Sequence, residues 1–242
     1  MVTWFGHDGG ALARALDLPR VIALRQVDST MDAAHAAAAE GAPAGTLVLA
    51  EEQRVGRGRG GKAWAAAPRA GLWLTLVERP ASDDGLDVLS LRIGLRLADV
   101  LERWAAPIRL KWPNDVYVDG KKLAGVLVEA RWRRTRCEWV AVGLGINLGR
   151  ATFPGSATLG DADPGAVLGE VIPALRTAAF AHGPLRDDEL VAFAARDLAL
   201  GCALSAPAVG TARGIAPTGE LLVETAAGVT PYRAGSLVLA HT

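Results

Sequence analysis

The residues best suited to chemistry gather in a few short strings, and the most unusual is GRGRGGKAW, Gly56 to Trp64. It alternates glycine with Arg57 and Arg59, adds Lys62 and ends on Trp64. Glycines let a backbone bend closely round a ligand, and guanidinium or ammonium groups meet phosphate or carboxylate through charge-assisted bonds. A loop of this composition can close over a small anion. Three other readings compete with that one. Gly56, four residues and then Gly61-Lys62 match most of a phosphate-binding P-loop. Ala63, however, stands where a Mg²⁺-holding hydroxyl is needed, and Pro68 argues against a long helix behind the loop. An arginine–glycine segment for single-stranded nucleic acid is the second, although such segments are usually longer and repeated. The third is an exposed loop that merely carries charge.

KWPNDVYVDGKKLAG, Lys111 to Gly125, supplies Lys111, Asn114, Asp115, Lys121 and Lys122 around a hairpin whose turn is Asp119-Gly120. Alternation along its strands lets Asp115 and a lysine across the turn face one site. An ordinary polar hairpin is the plain alternative. Pro113 restricts Trp112, and Asn114-Asp115 then enter a strand that favours β-branched residues, which makes the string costly without a use. VGLGINL sets Gly143, Gly145 and Asn147 in an otherwise apolar strand. Glycines there indicate close approach by a ligand, another backbone or a helix.

The elements that must position these strings follow from periodicity. Apolar runs predict strands at residues 21–27, 45–52 and 71–78, the second reading as covered on both faces. DSTMDAAHAAAAEG predicts a helix with Ser29 or Thr30 near its cap and Gly41 at its end. Leu89, Ile93, Leu97, Val100 and Leu101 recur at helical spacing within 87–104. Strands follow in IRLKW, in DVYVDGKKLAGVLVEA and in CEWVAVGLGINL, then a loop from Gly149 to Pro164 and helices near 166–181 and 187–198. After Gly201 the chain reads as short strands broken by glycines, a small barrel-like β module.

Composition sets limits. The 242 residues are half hydrophobic and carry 26 basic against 26 acidic side chains. That balance argues against a general binder of nucleic acid or acidic membranes, so any cationic function is local. Cys137 and Cys202 lack metal-type spacing and read as reduced thiols. His7, His35, His182 and His241 show no zinc-like pairing. No signal peptide or membrane-length apolar run is visible, which predicts a cytoplasmic protein.

GRGRGGKAW, KWPND, KKLAGVLVE and GLGIN, in this order, resemble the catalytic domain of biotin protein ligases, and DSTMD resembles that family's first substrate-binding segment. The resemblance implies an α+β fold. Residues 1–198 would form a mixed sheet flanked by helices, like class II aminoacyl-tRNA synthetases, and 199–242 a small SH3-like β-barrel. It implies an ATP-dependent ligase that uses Mg²⁺, converts biotin to biotinyl-5′-AMP and transfers biotin to a lysine of a biotin carboxyl carrier domain. A lipoate–protein ligase, or a non-catalytic module that binds biotin or the carrier, is the alternative.

By motif match, Lys122, Asp115, Arg57 and Arg59 would be catalytic. Ser29, Thr30, Gln53, Gly56, Arg57, Trp64, Lys122, Gly125 and Gly143 would surround biotin. Arg57, Arg59, Lys62, Trp64, Lys111, Asn114, Lys122, Gly145 and Asn147 would bind the nucleotide, while the Mg²⁺ ligands stay unassigned. Three departures from the family pattern stand out: Met31 where Asn is usual, Lys62 for a frequent Arg, and an ending AGSLVLAHT without the frequent Glu and Arg. Phe153 offers an aromatic cover for adenine. About 20 residues precede the first expected strand, too few for a helix-turn-helix. The resemblance therefore implies a monofunctional ligase, monomer or weak homodimer, without DNA binding.

Overall fold

A computed structural model describes residues 3–149, 153 and 155–240. It opens with strands β1 (Thr3–Trp4) and β2 (His7–Asp8) and helix α1 (Gly9–Ala15), none of them expected from sequence. Elements this short complete no period that a pattern could reveal. The expected elements follow: β3 (Arg20–Val27), α2 (Thr30–Ala39), β4 (Thr46–Gln53), β5 (Gly71–Glu78) and α3 (Leu89–Leu101). Next come β6 (Ile108–Lys111), β7 (Asp115–Val118), β8 (Lys121–Arg133), β9 (Arg136–Asn147), α4 (Pro164–Ala179) and α5 (Asp187–Arg196).

Seven strands form one mixed sheet in the order β3-β4-β5-β9-β8-β7-β6. β3 and β4 run parallel with α2 as their crossover, and the other neighbours are antiparallel. Both faces are covered, which explains the near-continuous apolar runs of the central strands. Leu47, Leu49, Leu72, Leu74, Leu76 and Val142 share one core with α3 and α4, whereas Val48, Val77 and Trp139 point the other way, under Ala34 and Ala38 of α2. Alanines let that helix lie close to the sheet. Asp119 and Gly120 adopt positive φ of 49° and 70°, as a tight hairpin turn requires.

Strands β10 (Ala203–Ala206), β11 (Gly210–Ile215), β12 (Leu221–Thr225), β13 (Gly228–Tyr232) and β14 (Val238–Leu239) form a second, antiparallel sheet ordered β13-β12-β11-β10-β14. Its Leu204, Ala212, Leu221, Val223 and Leu237 merge with the core of the large sheet. Hydrogen bonds tie the units together, among them Trp112 Nε1 to Gly219 O at 2.9 Å and the Leu185 amide to Pro217 O at 2.7 Å.

Cys137 and Cys202 are free thiols. Among the described residues no helix is long and apolar enough to cross a membrane. His241 lies outside the described residues.

Candidate functional site

A cavity of about 560 Å³ opens on the face of the large sheet where β4, β5, β9, β8 and β7 meet the 54–64 loop. One end of it is neutral and polar. Ser29 and Thr30, at the start of α2, are buried, and both line the cavity with Gln53 from the end of β4. Ser29 sits at the helix N-cap but its side chain makes no cap bond. Gln53 Oε1 accepts from the Thr30 amide at 2.8 Å and from Thr30 Oγ1 at 3.0 Å, and Thr75 Oγ1 lies 3.0 Å from Thr30 Oγ1. Thr75, fully buried on β5, is a lining residue that sequence reasoning missed. Its string GLWLTLVE reads as core, and one hydroxyl among apolar residues was the sole signal.

The other end is cationic. Arg57, Arg59, Lys62, Lys111 and Lys122 line the cavity, and Asp115 is the one carboxylate among its described lining residues. Lys122 Nζ pairs with Asp115 at 2.6 Å and lies 4.8 Å from the centre of the Trp64 ring. Alternation from the Asp119-Gly120 turn sets Lys122 opposite Tyr117 and so on the face of Asp115, but would leave Gly125 on the other face. A register shift between Val116 and Tyr117 pairs Tyr117 with Lys122 and Asp115 with Gly125, which puts all four on one face. Burial, together with the neighbouring Lys122 and Lys62 charges, pulls the Lys111 ammonium below its ordinary value, with Asp115 opposing. A site that strains its own cations in this way is prepared for an anion.

The glycines face a side chain of the protein itself. A Cβ on Gly145 would stand 2.7 Å from the Trp64 indole, and one on Gly125 2.9 Å from the same ring. A Cβ on Gly143 would stand 2.7 Å from the end of Met31. Trp64 therefore rests across β8 and β9, and Met31 lines the cavity where the family pattern has Asn.

Three expected residues act at one remove or with their polar groups engaged. Gly56 and Asn147 do not line the cavity. Gly56 O accepts from the Trp64 amide at 2.8 Å, and a Cβ there would strike Trp64 O. Asn147 Nδ2 donates to Lys122 O at 3.2 Å and to Ala157 O at 3.1 Å, fixing the backbone that carries Lys122. Asn114 lines the cavity, but its amide donates to Val126 O at 2.6 Å.

The loop also reaches the second sheet. Arg59 donates to Gly235 O and lies 5.8 Å from the Trp112 ring, and Lys62 Nζ reaches Ser236 Oγ at 3.1 Å. Gly235, Ser236, Leu237 and Val238 complete the lining beside Phe153. Sequence reasoning did not place these four residues at the site, because a contact between positions 59 and 235 leaves no local pattern. Among the described residues no three His, Cys, Asp or Glu side chains gather as metal ligands.

Comparison with known proteins places the chain in a family. Residues 23–147 match the model of the biotin/lipoate A/B protein ligase family. The chain is 36% identical over 133 residues to the bifunctional ligase/repressor BirA of Bacillus spizizenii, which covers 53% of this chain and 41% of that protein. It is 38% identical over 151 residues to the biotin–[acetyl-CoA-carboxylase] ligase of Paracoccus denitrificans, covering 61% of this chain and 62% of that one. These alignments span less than two thirds of either relative. The structure superimposes on the biotin protein ligase of Aquifex aeolicus in complex with biotin and ATP with a TM-score of 0.75 at 27% identity, over 92% of this chain and 99% of that one.

Proposed function

The chain belongs to the biotin/lipoate A/B protein ligase family, and on that premise we propose that it activates biotin with ATP and transfers it to a lysine of a biotin carboxyl carrier domain. The observation that carries this reading is a single cavity joining a hydrogen-bonding end, Ser29, Thr30, Gln53 and Thr75, to a cationic end. Biotin has the matching halves, a neutral ureido ring and a carboxylate. The second substrate, ATP, brings the phosphates. The likeness to relatives named as biotin ligases, and to a ligase bound to biotin and ATP, favours biotin over lipoate.

In the first step a biotin carboxylate oxygen attacks the α-phosphorus, the bond to the pyrophosphate oxygen breaks, and biotinyl-5′-AMP forms. Two anions must meet, so the barrier is lowered by donors fixed before reaction. Lys122, oriented by Asp115, serves the carboxylate and the α-phosphate, while Arg59, Lys62 and Lys111 serve the triphosphate. Asp115 is already paired with Lys122, so the described lining residues offer Mg²⁺ no ligand set of their own. Such an ion would be held chiefly by substrate phosphates and water, and would neutralise phosphate charge. The glycine-rich loop, with Trp64 at its end, covers the adenylate against water. In the second step a neutral lysine amine attacks the acyl carbon, AMP leaves, and an amide remains. Asp115 is placed to take the amine's proton.

We divide the chain into a catalytic unit, 1–198, and a C-terminal unit, 199–242, which we read as SH3-like. Its Gly235–Ser236 segment contributes to the roof of the site. We read the protein as cytoplasmic, monomeric or weakly dimeric, and without a nucleic-acid partner. Pyrophosphate release with ATP and Mg²⁺, compared for biotin, lipoate and octanoate, tests the reading. Turnover with biotin alone supports it, turnover with lipoate moves the substrate, and no turnover from folded protein leaves only a binding module.

A further inference from the structure

The guanidinium of Arg57 sits in the cavity wall but is already committed to two carboxylates. Its Nη1 donates to Asp32 at 2.5 Å, its Nη2 to Glu129 Oε2 at 3.2 Å and its Nε to Glu129 Oε1 at 3.3 Å. One positive and two negative charges leave this cluster with no cationic excess to offer a phosphate. Its contacts instead join the loop to α2, which carries Asp32, and to β8, which carries Glu129.

Glu129 is held from behind by a second pair of groups. Trp139 Nε1 lies 2.9 Å from His35 Nδ1, and His35 Nε2 lies 3.0 Å from Glu129 Oε2. An indole N–H only donates, so Nδ1 must present a lone pair, and the neutral ring then carries its proton on Nε2. That proton points at the Glu129 carboxylate. Asp32 and His35 are one helical turn apart on α2, and the alanines packed on the sheet bring both within reach of β8 and β9.

We propose that His35 is a positioning residue that works through Glu129 and Arg57 to latch the glycine-rich loop shut, and that Arg57 is that latch and not a phosphate ligand. The position of Arg57 suits the part. It bridges Ala63 across the neck of the loop, and just inside that neck the Gly58 amide donates to Lys62 O at 2.7 Å. Fixing this one side chain therefore fixes where the loop leaves the sheet. The consequence for function rests on the ligase reading: the latch sets how long the adenylate stays covered, whereas Arg59, Lys62 and Lys111 answer to the triphosphate.

The test uses ligand-free full-length protein and a lysine-specific protease, whose cut after Lys62 reports loop opening and does not depend on arginine. His35→Ala should speed that cut about fivefold, the worth of roughly one net hydrogen bond, while His35→Gln should stay within about twofold of wild type. Glutamine restores both contacts, since its carbonyl accepts from Trp139 and its amide donates to Glu129. Arg57→Ala should open the loop further, and adding His35→Ala to it should change nothing more. Trp139→Phe is the second probe if His35→Ala is poorly folded, and it should also speed the cut. Wild-type cleavage rates in His35→Ala, or His35 and Arg57 effects that add in full, would overturn the latch. Adenylate release, read in the same variants, should follow the same order. A wild type that forms no adenylate would sink the ligase reading and leave the cleavage result standing.

Discussion

The floor and the roof of the cavity are built on different terms. The floor is sheet: Gly143 and Gly145 on β9 pair with Thr75 and Trp73 on one side and with Leu127 and Gly125 on the other. Each backbone group there is held by a ladder, and the polar chain Gln53–Thr30–Thr75 is locked between buried positions. The roof is a loop whose ties are mostly side chains: Arg57 to Asp32 and Glu129, Arg59 to Gly235, Lys62 to Ser236. Ladders open with the whole sheet, whereas single surface contacts open alone. The difference suits a reaction that needs its donors fixed but its substrates admitted and its product released.

Four substitutions probe that division. Lys122→Ala on the floor should lower the rate of pyrophosphate release by about 10²–10³, as loss of one preorganised donor does, with little change in melting temperature. Gly145→Ala should displace Trp64 from β9 and raise the biotin KM about tenfold, the scale of a modest overpacking cost. A KM unchanged by that methyl would show the floor to be looser than its ladders imply.

Lys111→Met separates stability from function. Its folded ammonium is depressed below the unfolded value of 10.5. Between those two values the unfolded chain holds more protons, so wild-type stability rises with pH across the window. The variant should therefore melt above wild type at neutral pH, with the gap closing as pH climbs through the lowered folded value toward 10.5. The same change should raise the KM for ATP several-fold, seen in steady-state assays. Ser236→Ala should have the smallest effect, less than about twofold on adenylate release, because it removes one exposed contact of the roof. A larger effect there would make the second sheet part of the rigid frame.

The floor was legible because its signals are local. Apolar runs marked β5 and β9, and the glycines of VGLGIN marked a close approach, although the approaching groups proved to be Met31 at Gly143 and Trp64 at Gly145. The Lys122–Asp115 pair was legible from alternation across the hairpin, whereas the register shift that brings Gly125 to the same face leaves no mark in KKLAG. The roof was legible as composition and not as contacts. Arg57 read as an anion ligand from its neighbours in sequence, and nothing nearby announced Glu129, 72 residues away. The His35–Trp139 bond spans 104 residues and rests on an alanine-rich helix lying close to the sheet. Thr75 was hidden in the same way, as a lone hydroxyl in an apolar strand.

Amide hydrogen exchange of residues 58–64 against 143–147, with and without biotin and ATP, tests the account most directly. The floor should be protected throughout, and the loop should exchange fast when empty and at least about tenfold more slowly once both substrates are present. Loop exchange left unchanged by biotin with ATP, or slowed equally by lipoate with ATP, would contradict it.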